Sequence, residues 1–224
     1  MDTIEAVKQR RSIRAYKPDP VPDDMLRKIM ELALRAPSGS NVQPWECIVV
    51  RGKKLEEIRQ LFTEKATEVP TFDFYLPFQY AEPYSTRRKG VLKGLMEIKG
   101  IQREEKEKRM QFQLEGNRMW GAPAVIYICT DSSLHRQGEN VNVWPLFDCG
   151  LLAENIMLLA TAHGLGSAPL IQAAAFPAEV RRILGIPESK LILLGIAIGY
   201  PDLTDPVNSF CSERTPMDEV VTWC

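Results

Sequence analysis

Histidine is nearly missing from this chain of 224 residues: it has two, His135 and His163, and they form no close cluster with cysteine. That scarcity argues against a zinc or iron centre, which draws its ligands largely from those residue types. The five cysteines (Cys47, Cys129, Cys149, Cys211, Cys224) are odd in number, widely spaced and never paired as CxxC. They read as reduced thiols of a core or tail. No GxSxG elbow marks a serine hydrolase, and no GxGxxG pattern is present, which disfavours NAD held as doubly wound sheets hold it. The formal net charge of −1 provides no overall field for nucleic acid or an anionic membrane, so any anion site must be local. Long apolar runs are missing as well: the longest, residues 191–200, is of strand length, well short of the roughly 18 that span a bilayer. The opening MDTIEAVKQRRS has no apolar leader pattern and carries Asp2 and Glu5, so the expected address is the cytoplasm.

What is present is the composition of an ordinary soluble domain, 45% hydrophobic and 25% charged, long enough to bury a core as one unit over residues 1–224. Asp2 or Thr3 can cap a short helix ending near Ser12. Met25, Leu26, Ile29, Met30, Ala33 and Leu34 share one face of a helix over 23–36, stopped by Pro37. Residues 47–50 read as a buried strand, and Leu55, Ile58, Leu61 and Phe62 resume helical spacing. Residues 63–120 change character, first aromatic and proline-rich, then highly charged, and read as an insertion with its own helices. A strand over 122–129, a strongly apolar helix over 148–163 that should be covered on nearly all sides, a helix over 178–184 and a strand over 191–198 follow. The tail, 205–224, has little apolar content and is expected to lie against something else. This order predicts an α+β, three-layer arrangement with helices flanking a central sheet.

Four segments carry polar chemistry. KQRRSIR places Arg10, Arg11, Ser12 and Arg14 where a helix gives way to extended chain, so that guanidinium forks can surround a polyanion; by itself such a cluster is also what a solvated helix face looks like. The loop APSGSNVQPW holds Ser38, Ser40, Asn41 and Gln43 between Pro37 and Pro44, donors and acceptors suited to a polar heterocycle or sugar chain. GLGSAPLIQ combines two glycines with Pro169, Leu170 and Ile171, letting backbone approach a flat ligand. In the tail, CSERTP offers Arg214.

Together and in this order, RRSIRAY, APSGSNVQPW, HGLGSAPL, GIAIGYPD and SERTPMDEV resemble the FMN-dependent nitroreductase superfamily over nearly the whole chain except residues 63–120. The resemblance implies a mostly antiparallel sheet in a domain-swapped homodimer, with the tail crossing to the partner. It implies FMN held by Arg10, Arg11, Ser12 and Arg14, with Arg214 at the phosphate and Pro169, Leu170 and Ile171 near the ring. Pro37, Ser38, Ser40, Asn41 and Gln43 would come from the partner subunit. NADPH or NADH would donate hydride and a nitroaromatic or related electron-poor acceptor would receive it, by a ping-pong route. No side chain stands out as an essential acid or base, and Arg14 is the candidate to tune the flavin. Tyr84, Arg88 and Trp120 are expected in a substrate lid, with Tyr75, Phe78 and Tyr80 as further aromatics and Arg87 and Lys89 as cations to attract a carboxylate. Two alternatives stand beside this one. One is a reductive dehalogenase of halotyrosine-like substrates, a branch that sets a Glu, a Tyr and a Lys over its substrate; the other is a nonenzymatic flavin-binding or sensing protein.

Overall fold

The computed structural model describes residues 1–77, 79–137 and 140–224. In chain order the elements are α1 (Thr3–Gln9), α2 (Asp23–Ala33), β1 (Trp45–Arg51), α3 (Gly52–Glu64), α4 (Tyr84–Ile98), α5 (Lys106–Asn117), β2 (Ala124–Asp131), a short antiparallel pair β3 (Arg136–Gln137) and β4 (Asn140–Val141), α6 (Trp144–Ala162), β5 (Gly166–Leu170), α7 (Pro177–Leu184) and β6 (Lys190–Gly199).

The segment AVIYICTD forms β2, buried on both faces as its unbroken β-branched and aromatic run requires. Val125, Tyr127 and Cys129 point to one core with Leu55, Ile58 and Phe62 of α3 and Val180 of α7. Ala124, Ile126 and Ile128 point to a second core with Leu26, Ile29 and Ala33 of α2 and Leu152, Ile156 and Ala160 of α6. The sheet between them has the order β1-β2-β6-β5, with every pair antiparallel. A bulge sets Leu193 opposite no partner, because Cys129 pairs with Ile192 and Ile128 with Leu194. The extra residue reverses the alternation, so Ile192 faces the first core while Leu194 packs on the second.

The main elements lie where the sequence places them, and the differences have physical causes. α1 begins at the Asp2 cap, whose carboxylate accepts from the Glu5 N–H at 2.9 Å, but stops at Gln9, because the following residues leave as extended chain. α2 ends at Ala33, and Leu34 to Ala36 form a turn before Pro37. GSAPL, which the sequence pattern assigns to no strand, forms the edge strand β5, and the β3–β4 pair is a further element beyond those expected. Within one chain α6 is covered on one side only: Trp144 and Phe147 stand 68% and 59% exposed. By length and composition α6 could cross a membrane, yet its inner face is part of the core and its buried Asp148 accepts from the Gly39 N–H at 3.2 and 3.3 Å. Burial pushes the thiols of Cys129 and Cys149 up to about 12 and that of Cys47 to about 11, which keeps them protonated and poorly nucleophilic.

The insertion supplies α4 and α5, and its Leu95 and Phe112 form a small third core with Val207 of the tail. Its root is clipped to the sheet. β5 pairs with β6 only as far as Gly195, so β6 has an open edge below that point. There the Asp73 carboxylate accepts the Ile192 N–H at 2.7 Å and pairs with Arg181 at 2.5 Å, the two side chains being 11% and 12% exposed. Arg181 also donates to the Lys190 carbonyl at 3.0 Å. The neighbouring Phe176 N–H donates to the Thr71 carbonyl at 3.1 Å, and Phe74 meets His135 edge-on at 5.1 Å. Removing one member of such a pair strands the other charge. Asp73→Ala is therefore expected to lower the unfolding free energy by about 3 kcal/mol, and Arg181→Met added to it should restore part of the loss in equilibrium urea unfolding. A change below about 0.5 kcal/mol would show that the clip is not under load.

Candidate functional site

The basic cluster is not a solvated helix face. Arg10 caps α1 with φ −57° and ψ 121°, and the chain then runs as an extended arm along β5. Ser12 forms a parallel bridge with Ser167, the Ile13 N–H donates to the Ser167 carbonyl at 3.0 Å, and Tyr16 bridges Pro201. The fit demands glycine at 166, where a Cβ would stand 2.6 Å from Ile13 Cγ1.

Asn208, in a turn of the tail and almost wholly buried, ties the arm down from the other side. Its side-chain oxygen accepts the Arg14 N–H at 2.7 Å, its carbonyl accepts from Arg11 Nε at 3.0 Å, and its Nδ2 donates to the carbonyls of Ala15 and Asp202, both at 2.8 Å. Arg10 lies 3.6 Å from Glu154 of α6. Arg14 donates to the Ser12 carbonyl at 3.2 Å and lies over the Phe210 ring at 5.9 Å. Burial draws the Arg14 guanidinium below its usual pKa, with the facing Tyr16 opposing that shift, yet arginine stays charged at neutral pH. Burial also pushes the Tyr16 phenol far up, so it stays neutral.

Beyond the bridge the arm leaves β5 uncovered. The sheet ends at this strand, Pro169 is exposed and Ile171 is 50% exposed, whereas Leu170 is buried. The buried Ser167 hydroxyl has no hydrogen-bond partner among the described residues, a rare condition that marks a seam open to a further polar contact. Guanidinia and a hydroxyl at one end of a bared, largely apolar strand edge suit a flat heteroaromatic ring carrying a phosphorylated chain. That is the donor set FMN needs.

This edge leads into a cavity of about 470 Å³ lined by Pro70, Phe72, Leu76, Pro77, Tyr80, Tyr84, Arg88 and Ile171. Tyr84 opens α4, with the Arg87 guanidinium 5.6 Å over its ring, and Arg88 lies 5.7 Å over Tyr80. Trp120, expected in the lid, packs instead inside the insertion. Its ring centre is 5.1 Å from that of Phe112, and it fills the space beside Gly116, where a Cβ would lie 3.1 Å from it. Tyr75 is 91% exposed, and Phe78 lies outside the described residues.

Two expected groups stand apart from the arm within one chain. The loop 37–43 precedes β1, at the opposite edge of the sheet and three strand spacings, roughly 14 Å, from β5. Ser40, Asn41 and Gln43 adopt positive φ of 49°, 59° and 49°, and Ser38 Oγ accepts the Gln43 N–H at 3.0 Å. Three non-glycine residues held in the left-handed region form a stiff, exposed loop of the kind found at ligand contacts. Arg214 is exposed and bonds within the tail, to Ser212 O at 2.9 Å, Ser212 Oγ at 2.7 Å and Glu213 O at 3.1 Å.

Residues 7–200 match the Nitroreductase family. Nitroreductase NfnB of Mycolicibacterium smegmatis is 34% identical over 215 residues, covering 95% of this chain and 88% of that protein. A 4-nitrobenzoate reductase of Nocardioides is 30% identical, covering 97% and 87% of the two chains. Among solved structures, the FMN- and NADPH-dependent nitroreductase NfnB from Sphigopyxis sp. strain HMH superposes with a TM-score of 0.91 at 32% identity, over 100% of this chain and 99% of that one. The FMN-dependent NfnB of Mycobacterium smegmatis in complex with NADPH superposes at 0.88 with 31% identity, over 100% of both.

Asn208→Ala removes the arm's anchor and leaves several backbone groups unpaired, at a cost of about 1–3 kcal/mol. The expected result is a lower thermal midpoint together with at least about a tenfold weaker affinity for FMN in fluorescence titration. Loss of stability with unchanged flavin affinity would separate the arm from the cofactor.

Proposed function

The chain belongs to the nitroreductase family, and from that premise we propose that it is an FMN-dependent oxidoreductase that uses NADPH or NADH to reduce nitroaromatic or related electron-poor small molecules. The observation that carries this reading is the meeting of the arginine arm, the bared edge of β5 and an aromatic cavity along one edge of the sheet. Arg10, Arg11 and Ser12 would hold the phosphate and sugar chain, and Pro169, Leu170 and Ile171 would support the ring. Arg14, half-buried and cationic, would favour the reduced anionic state from the ring's polar side. Bound FMN supplies the two-electron transfer between donor and acceptor. The chain itself positions the partners: Phe72, Tyr80 and Tyr84 give a planar guest apolar walls, and donor and acceptor would take the space beside Ile171 in turn. The described wall of this cavity contains tyrosines and Arg88 but neither glutamate nor lysine, which favours nitro reduction over the halotyrosine dehalogenase alternative.

We further propose a homodimer in which the partner's loop 37–43 completes the site. The exposed Trp144 and Phe147 of α6 offer an apolar contact, and the tail presents Val220, Val221 and Trp223 exposed. A groove of about 440 Å³ between α2 and β1, with Leu26, Met30, Leu34, Trp45, Cys47 and Val49 in its lining beside the charged Asp23, Arg27 and Arg51, suits such a tail from a second copy. The five free thiols suit a cytoplasmic, reducing setting.

Purified protein is expected to show a flavin spectrum that bleaches anaerobically with NADPH or NADH and returns when a nitroarene is added. Flavin that neither nicotinamide bleaches would favour a sensing role, and no flavin uptake at all would sink the cofactor assignment. Sedimentation is expected to give a dimer, and deletion of residues 217–224 should weaken it by at least about tenfold; a full-length monomer that retains flavin would overturn the shared site.

A further inference from the structure

A second cavity, of about 420 Å³, adjoins the one beside Ile171 and shares two of its lining residues, Tyr80 and Arg88. Its character differs. The inner cavity is walled by aromatic rings, prolines and leucine, whereas the outer one adds Gln79, Ser85, Lys89 and Leu92. Residues 82–89 carry three cations to a single acid. That acid, Glu82, is engaged at the start of α4, where it accepts from the Ser85 hydroxyl and, at 3.3 Å, from the Thr86 N–H. Of the cations, Arg88 and Lys89 line the outer cavity, near the positive end of a helix of 15 residues, while Arg87 stacks over Tyr84. Stacking over Tyr80 sets Arg88 on the wall common to both spaces.

From this arrangement we infer that the outer cavity is a phosphate subsite for the nicotinamide donor, with Lys89 and Arg88 as its cations. The inference rests on the proposed reading that donor and acceptor use the inner cavity in turn. A nitroarene fits within the inner space, but a dinucleotide does not, and whatever follows its nicotinamide ring must leave past Tyr80 and Arg88. Those residues open onto the side of the molecule where a lysine, an arginine, a hydroxyl and an amide line one hollow. Ser85 is already committed to Glu82, so the charge recognition falls to Lys89 and Arg88. Two phosphates of the donor share this chemistry, the pyrophosphate and the 2′-phosphate that distinguishes NADPH from NADH.

The test uses the flavin-loaded enzyme with Lys89→Met and Lys89→Glu, substitutions on an exposed helical turn that the fold tolerates. NADP+ binding by calorimetry and stopped-flow flavin bleaching would be measured with both donors, beside the KM for a neutral nitroarene. NADP+ affinity is expected to fall about tenfold in Lys89→Met and further in Lys89→Glu, and raised salt should reproduce part of the loss in the parent enzyme. The KM of the neutral acceptor should stay in place. A loss confined to NADPH identifies the 2′-phosphate, and an equal loss for both donors identifies the pyrophosphate. Unchanged binding of NADP+ and of both donors, or an effect seen only with carboxylate-bearing acceptors, would overturn the subsite. An enzyme whose flavin neither donor bleaches even before substitution would instead overturn the underlying reading.

Discussion

The bridge between Ser12 and Ser167 is the contact on which the site depends. An antiparallel sheet that ended at β5 would present a plain edge, and the arginines would be scattered around the end of a short helix. Because the Ile13 N–H donates to Ser167 and residue 166 has no side chain, the arm is drawn onto that edge and carries Arg10, Arg11 and Arg14 with it. The bridge is also short. It covers the beginning of β5 and leaves Pro169 and Ile171 exposed, so cations and an apolar strip end up side by side. Neither would bind a phosphorylated heteroaromatic well alone: the cations would hold any polyanion, and the strip any flat apolar group.

The same edge explains the position of the cavity. Below Gly195, β6 has no β5 partner, and the open backbone must be satisfied because an unpaired buried amide costs as much as a lost hydrogen bond. The insertion satisfies it through Asp73, and in doing so brings Phe72 and the residues after it alongside Ile171. The wall of the cavity is thus fixed by the sheet's own hydrogen-bonding requirement, with Arg181 neutralising the carboxylate that meets it.

Much of this was legible in the sequence, because much of it is local. α2, β2, α6 and β6 follow from periodicity and β-branched runs, and Gly185, with φ 70°, stops α7 as its position suggests. The arginine arm and the loop 37–43 were visible as composition. Contacts that join distant residues were not. Asn208 meets Arg14 across 194 positions, and Asp73 meets Ile192 across 119; in both cases a short polar side chain satisfies backbone groups that no spacing rule reveals. β5 escaped notice because GSAPL has the residues of a turn, and tertiary pairing with β6 overrides that preference. Trp120 is an aromatic in a region expected to be a lid, and its packing on Phe112 and beside Gly116 joins residues that no spacing rule pairs.

The two edges of the sheet are unlike, and the difference bears on the proposed dimer. Cations and the cavity gather at β5, whereas the strained, amide-rich loop stands at β1, three strands away. In the proposed homodimer the loop that meets the arm would come from the other copy. A twofold axis achieves this twice with a single contact, since placing one chain's β1 end against the other's β5 end automatically places the reverse pair. Such an axis needs an apolar surface near the middle of the fold. The exposed Trp144 and Phe147 lie on α6, the helix that spans the sheet and whose Asp148 grips the loop at Gly39. The exposed apolar face of α6 and the loop are joined through Asp148, so in the proposed dimer covering the first would also set the position of the second.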